Sequence, residues 1–213
     1  LLRLPWSWAA QPADLDADGW ADVVLNSNNC AAPLDIVWDE DRGAGPGAAL
    51  LNRQGQGFVD ATWDLGIANM DAQGRYRDGR GLAVGDLDND GHADLVFANR
   101  SYNPSESDPL AQVAGEPAVW LSGPRANHWL QVELVGTASN RDAIGATVWV
   151  DDGTRRRAVA VGAGGATNSS SETMLTLGLG AHTAVDLRVR FPSGETVELV
   201  DVAADQRLEI VEP

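Results

Sequence analysis

From His128 to the C-terminus, apolar and polar positions alternate with a period of two. Leu130, Val132 and Leu134 alternate with Gln131 and Glu133, and Val185, Leu187, Val189 and Phe191 with Asp186, Arg188 and Arg190. Leu175, Leu177 and Leu179 fall on one side of a further segment, as do Val197 with Leu199 and Leu208 with Ile210. Turn residues separate these runs, notably Asp151–Gly153 and Pro192–Gly194. Such alternation predicts half-buried strands, and their number predicts an antiparallel β-sandwich. The first half has a different pattern. Its apolar runs are short, rich in Val, Leu and Trp, and bounded by Gly, Asn and Asp. No stretch carries a convincing helical period, so the whole chain is expected to be all-β.

The first half also repeats itself. "DLDADGWADVVL" from Asp14 aligns without a gap on "DLDNDGHADLVF" from Asp86, 72 residues later, with eight of twelve positions identical. A smaller apolar run follows each copy, "AALLNRQGQGF" from Ala48 and "PAVWLSG" from Pro117. A repeat of this length implies one supersecondary unit that buries its faces against neighbours. Pro12 stands where the second copy has Val84, which predicts an edge or irregular strand before the first acidic run. The Pro-, Ser- and Gly-rich stretch from Ser101 to Pro117 reads as a long loop, and "SGPRAN" from Ser122 as a linker. The expected division is a repeat region over 1–125 and a sandwich over 126–213.

Charge narrows the range of partners. Thirty-one acids face fifteen bases, all Arg, for a net charge of −16 over 213 residues. A nucleic-acid partner or an anionic membrane surface would need a basic face, so both are disfavoured. No apolar run is long enough to span a membrane. Cys30 is the only cysteine, which rules out an intrachain disulfide. The chain starts at "LLRLPWSW" without Met, and is expected to be processed or excised from something longer.

The acids concentrate in the two copies, where four aspartates fall within nine residues. Crowded carboxylates repel by on the order of 1 kcal/mol per close pair even at water-like dielectric. A bound cation relieves that repulsion. Acids at positions 1, 3 and 5, Gly at 6 and a carbonyl at 7 supply hard oxygen ligands suited to Ca²⁺. An EF-hand would place Glu at position 12, but Leu25 and Phe97 stand there, and the closing acid comes at position 9 instead. Each loop should therefore feed a strand. Site one is expected from Asp14, Asp16, Asp18 and Asp22 with the Trp20 carbonyl. Site two is expected from Asp86, Asp88, Asp90 and Asp94 with the His92 carbonyl, the His92 side chain facing outward. The count is two calcium ions.

The loop inside "GRGLAVGDLDNDGHADLVFAN" resembles the calcium-binding FG-GAP/VCBS-type repeats that form blades of β-propellers. "ALLNRQGQGFVDATWDLGI" is similar to the strand and Gly turn that close a blade. The C-terminal part, through its "SNRDAIGA" and "RFPSGE" segments, is similar to the ASPIC/UnbV domain, which commonly follows such repeats. The resemblance implies a secreted or cell-surface protein, calcium-stabilised and β-rich, with no known reaction. Two loops fall short of the four to eight blades of a full propeller. The expected architecture is thus partial propeller-like blades joined to the sandwich, with open sheet edges that invite assembly into an oligomer or filament.

No catalytic grouping emerges: His92, His128 and His182 are scattered, and no G-x-S-x-G, H-E-x-x-H or P-loop is present. "TNSSSET" from Thr167 reads as a loop, and "DEDRG" from Asp39 as a solvated acidic turn. Arg155–Arg157 reads as an exposed strand end, with pairing to the acidic half as the alternative. The eight Trp are expected to fill cores; stacking on sugar rings is the other reading, with Trp20 as its test position. The sequence therefore points to a non-enzymatic calcium-binding adhesion or assembly module, its partner a protein or polysaccharide at the cell surface. A carbohydrate-binding accessory domain is the alternative.

Overall fold

The computed structural model describes residues 7–27, 47–101, 114–123, 126–162 and 164–213. Trp6, Cys30, Trp38, the acidic turn at 39–43 and most of the loop from Ser101 lie outside the described residues. Those that are described form fourteen strands and no helix.

The first copy of the repeat builds a four-stranded antiparallel sheet in the order β1 (Ser7–Ala13), β2 (Asp22–Ser27), β3 (Ala48–Asn52) and β4 (Phe58–Asp60). Among the described residues the second builds three strands, β5 (Asp78–Gly85), β6 (Asp94–Arg100) and β7 (Ala118–Trp120), also in sequence order. Both are blade-like meanders, and they close no barrel. Pro12 sits within β1, an edge strand, where its missing N–H costs no ladder bond. Strands β1 and β5 pack together, and Ala9, Leu15, Val24, Ile67, Leu82, Leu95 and Phe97 fill a shared core. The Trp120 indole N–H donates to the Leu65 carbonyl at 2.7 Å and ties the outer ends of the two sheets.

The remaining strands form two facing sheets. One runs β10 (Arg156–Ala160), β9 (Thr147–Asp151), β12 (Ala184–Arg190), β13 (Thr196–Ala203). The other runs β11 (Leu175–Gly180), β8 (His128–Val135), β14 (Gln206–Val211). The alternating residues meet between them: Leu130, Val132, Val148, Val150, Leu187, Val189 and Phe191 are buried. The sandwich is not wholly antiparallel, because β14 pairs with β8 in parallel. A two-residue corner at Ala204–Asp205 carries the chain from one sheet to the other and sets this direction. Asp205 adopts φ 58°, its N–H donates to the Trp129 carbonyl at 2.7 Å, and its carboxylate lies 2.7 Å from His128 Nδ1.

The segments "SNRDAIGA" and "RFPSGE" converge on one buried acid, Glu212. Its carboxylate accepts the N–H groups of Thr137, Ala138 and Ser139 at 2.7–2.8 Å, together with the hydroxyls of Ser139 and Ser193. Burial alone would raise this carboxyl; the Ser139 N–H, the Ser193 and Ser139 hydroxyls and the Thr137 N–H outweigh it and hold it down at about 2. The end of β14 is thereby locked to the β8–β9 and β12–β13 connections.

Candidate metal centre

Each acidic run forms the turn between the first and second strands of its sheet. In loop one the Asp14 carboxylate accepts the Gly19 N–H at 2.9 Å, Asp16 accepts from Asp18 N, and Asp18 accepts from Trp20 N at 2.8 Å. In loop two Asp86 accepts from Gly91 N at 2.8 Å, Asp88 from Asp90 N, and Asp90 from His92 N at 2.9 Å. The same ladder of Asx turns thus folds both copies. Gly19 and Gly91 stand at φ 85° and 89°, the left-handed region that makes the sixth position a glycine. Position four is left-handed as well, at Ala17 (φ 55°) and Asn89 (φ 61°), a requirement the spacing of acids does not reveal.

The ladder gathers the acids. Asp14, Asp16 and Asp18 each place a carboxylate oxygen within 4.8 Å of the others, and so do Asp86, Asp88 and Asp90. Asp22 and Asp94 stand outside these groups. Asp22 accepts the N–H groups of Leu15 and Asn52, and Asp94 those of Leu87 and Ser122, all at 2.8 Å. The closing acid therefore ties the loop to the exit of the third strand in both sheets. The half-buried Trp20 has Gly55 against its benzo ring and the Arg155 guanidinium 4.0 Å from its centroid. The His92 side chain does not face outward as the sequence suggests: it is 6 % exposed, in a loop over which the sandwich closes at the adjacent Gly91.

The residues present fit a hard cation. The donor atoms are all oxygens. Asp14 Oδ1 is buried and has no hydrogen-bond partner among the described residues, which leaves a charged lone pair uncompensated. Burial pushes the Asp14 carboxyl up to about 7, with Asp18, Asp22 and Asp16 adding to the shift. Burial also raises Asp22 to about 6, against the opposing N–H groups of Asn52 and Leu15.

The position of the loops was not legible in the sequence: both lie against the sandwich. At loop one, Gly180 N–H donates to the Ala17 carbonyl at 2.9 Å, Asn127 Nδ2 to the Asp16 carbonyl at 2.8 Å, and Arg155 to the Gly19 carbonyl. A Cβ on Gly178 would overlap Asp14 and Ala17, so only glycine lets β11 come this close. At loop two, Gln131 Nε2 donates to Asp86 Oδ2 at 2.6 Å, and Asp86 N–H donates to Glu172 Oε1 at 3.0 Å. A Cβ on Gly91 would overlap the Trp129 ring.

The hydroxyl run from Thr167 finds its role here. Ser169 Oγ accepts the Leu82 N–H at 3.1 Å and donates to the Leu82 carbonyl at 2.7 Å. Ser171 Oγ accepts the Val84 N–H at 3.1 Å, and Thr167 Oγ1 donates to the Trp8 carbonyl at 2.6 Å. This sandwich segment satisfies the edge of β5 chiefly with side chains where a strand would use its backbone, with the Glu172 N–H to the Val84 carbonyl as a backbone contact.

The comparisons with known proteins agree with this geometry. The model of the FG-GAP repeat matches residues 79–115, which include most of β5, loop two and β6. That of ASPIC and UnbV matches residues 136–213. No curated protein matches the chain. Neither family is known as catalytic, and both are consistent with an extracellular, adhesion-type module. No helix of the described residues is long and apolar enough to cross a membrane. The chain thus joins an FG-GAP repeat, over residues 79–115, to an ASPIC/UnbV domain, over residues 136–213.

Proposed function

We propose that this is a secreted or cell-surface adhesion module whose two acidic loops bind calcium and thereby hold the blade-like sheets against the sandwich. One observation carries the reading: the loops with cation-ligand spacing are the same loops on which the sandwich rests. Asp14, Asp16 and Asp18 would hold one ion, and Asp86, Asp88 and Asp90 the other. The carbonyls of Trp20 and His92 are further candidate ligands, and so are Asp22 and Asp94, whose oxygens also accept backbone N–H groups. Each ion supplies the positive charge that the clustered carboxylates lack, so loops that otherwise repel themselves become rigid supports. The division at 125/126 then separates the part that offers the loops from the part that docks on them.

Adhesion and self-assembly draw support from the outer strands. Strands β4 and β7 are edges of their sheets, and Phe58, Val59, Val119 and Leu121 beside them are 42–58 % exposed. A protein or a second copy could pair there. Binding of a polysaccharide is the second reading, favoured by Trp63, whose side chain is 60 % exposed. Trp20 suits stacking less well, since Arg155 already covers its ring.

Thermal melting of the chain tests the calcium reading. Millimolar calcium raises the melting temperature over that in chelator, and the Asp14→Asn, Asp86→Asn double variant loses most of that rise. Identical melting with calcium and with chelator contradicts the reading.

A further inference from the structure

The two loops share a sequence and a hydrogen-bond ladder, yet the sandwich meets them with different chemistry. The contrast is sharpest at the sixth-position glycine. A Cβ on Gly19 would lie 2.6 Å from Arg157 Nη1 and 2.8 Å from Arg155 Nη2, so two guanidinium groups press on loop one. The same position in loop two, Gly91, lies against the neutral indole of Trp129. The first acid differs too. Asp86 receives the neutral amide of Gln131, whereas Asp14 keeps Oδ1 without a partner.

The arginines do not neutralise loop one by pairing with it. Arg155 donates to the Gly19 carbonyl and Arg157 to the Gly178 carbonyl. Among the described residues, neither forms an ion pair with Asp14, Asp16 or Asp18. Their charge acts through space on whatever occupies the loop. Strand alternation explains the arrangement: Arg155 and Arg157 fall on one side of the chain, toward loop one, and Arg156 on the other, in solvent.

We propose that the sandwich sets the two loops to unequal calcium affinities, with Arg155 and Arg157 weakening loop one so that loop two fills first. The inference rests on the calcium reading above and adds an order of filling and the residues that set it. A guanidinium a few ångströms from a divalent ion repels it enough to lower affinity on the order of tenfold, even at water-like dielectric. Calcium sites are tuned over this range by the charge around them. Loop one then responds only at calcium concentrations where loop two is already occupied.

Calcium titration of the full chain by calorimetry tests the order. Two resolved steps are expected. Asp16→Asn abolishes the weaker step and Asp88→Asn the tighter. Arg155→Gln tightens the weaker step roughly threefold to tenfold and leaves the tighter one in place. A second readout needs no change of charge: the Arg155 guanidinium lies over the Trp20 ring, so the fluorescence that is lost in Trp20→Phe should change with the weaker step. The proposal is overturned if Asp88→Asn removes the weaker step, if the two sites bind equally, if Arg155→Gln weakens loop one or leaves it unchanged, or if Trp20 follows the tighter step. In each of those cases two ions still bind and the calcium reading stands. No heat at all from the wild-type chain would defeat that reading, and this proposal with it.

Discussion

Among the described residues, Asp14 carries a heavy electrostatic penalty in the metal-free chain. Its carboxyl is raised from 3.8 to about 7, first by burial and then by Asp18, Asp22 and Asp16; Asp22 is raised to about 6, chiefly by burial. The sign of the consequence is fixed by linkage. A carboxyl whose folded value exceeds its unfolded value favours the fold while protonated, and that stability is lost as pH rises through the folded value. Without calcium, the melting temperature should therefore fall as pH increases from about 4 to about 7, the interval spanned by these shifts. Saturating calcium should suppress the fall, because the ion replaces the proton as the neutralising charge. A metal-free melting temperature that rises over this interval would contradict the assignment. The acids, the sixth-position glycines and the closing aspartates are all readable in the sequence, because a loop with local hydrogen bonds needs fixed residue types at fixed spacing. Gln131, Trp129, Gly178 and Arg155 are not readable as partners. Their contacts join positions far apart in the chain, and no local pattern encodes them. The Arg155–Arg157 cluster shows the limit well: alternation predicts a strand, but which side of it meets an acidic loop depends on how the two parts dock.

At the scale of elements, the edge of β5 decides how the two sheets end. A bare edge would leave the Leu82 and Val84 N–H groups open to another strand; Ser169 and Ser171 occupy them instead. Replacing both serines by Ala should cost about 3 kcal/mol of stability, near 1 kcal/mol for each of the hydrogen bonds to Leu82 N–H, Leu82 carbonyl and Val84 N–H, and should increase self-association through β5. Chemical denaturation with light scattering measures both. Unchanged stability and an unchanged monomer fraction would remove the edge-capping role. A second element-scale prediction concerns docking. Gly91→Ala adds a methyl group at a left-handed φ directly into the Trp129 ring, and should destabilise the chain by roughly 2 kcal/mol or more. Trp129→Ala in the same chain should recover part of that loss, and an additive double-variant cycle would show that the two do not touch. The strands themselves were largely legible. Alternation marks β8, β9, β12 and β13 because one side of each lies on the sandwich core. The parallel pairing of β14 was hidden, since alternation reports which side is buried and says nothing of direction. That the second sheet has three strands among the described residues and the first has four was equally hidden, because a two-copy repeat suggests two equal units.

Across the whole molecule, the acidic loops form the seam. The blade-like sheets present them, Asn127, Gln131, Arg155, Glu172 and Gly180 of the sandwich part rest on them, and clustered negative charge lies at the contact. Much of the net charge of −16 thereby gains a structural explanation: two divalent ions would neutralise half of the eight loop aspartates. A bound cation would be part of the architecture, holding the two families of sheet in one arrangement and leaving the outer edges at β4 and β7 open. A crystal grown in calcium would show whether divalent ions occupy this seam. An anomalous difference map should contain two strong peaks, one among the carboxylates of Asp14, Asp16 and Asp18 and one among those of Asp86, Asp88 and Asp90. A map without a peak in either loop, with these carboxylates turned into solvent, would contradict the account.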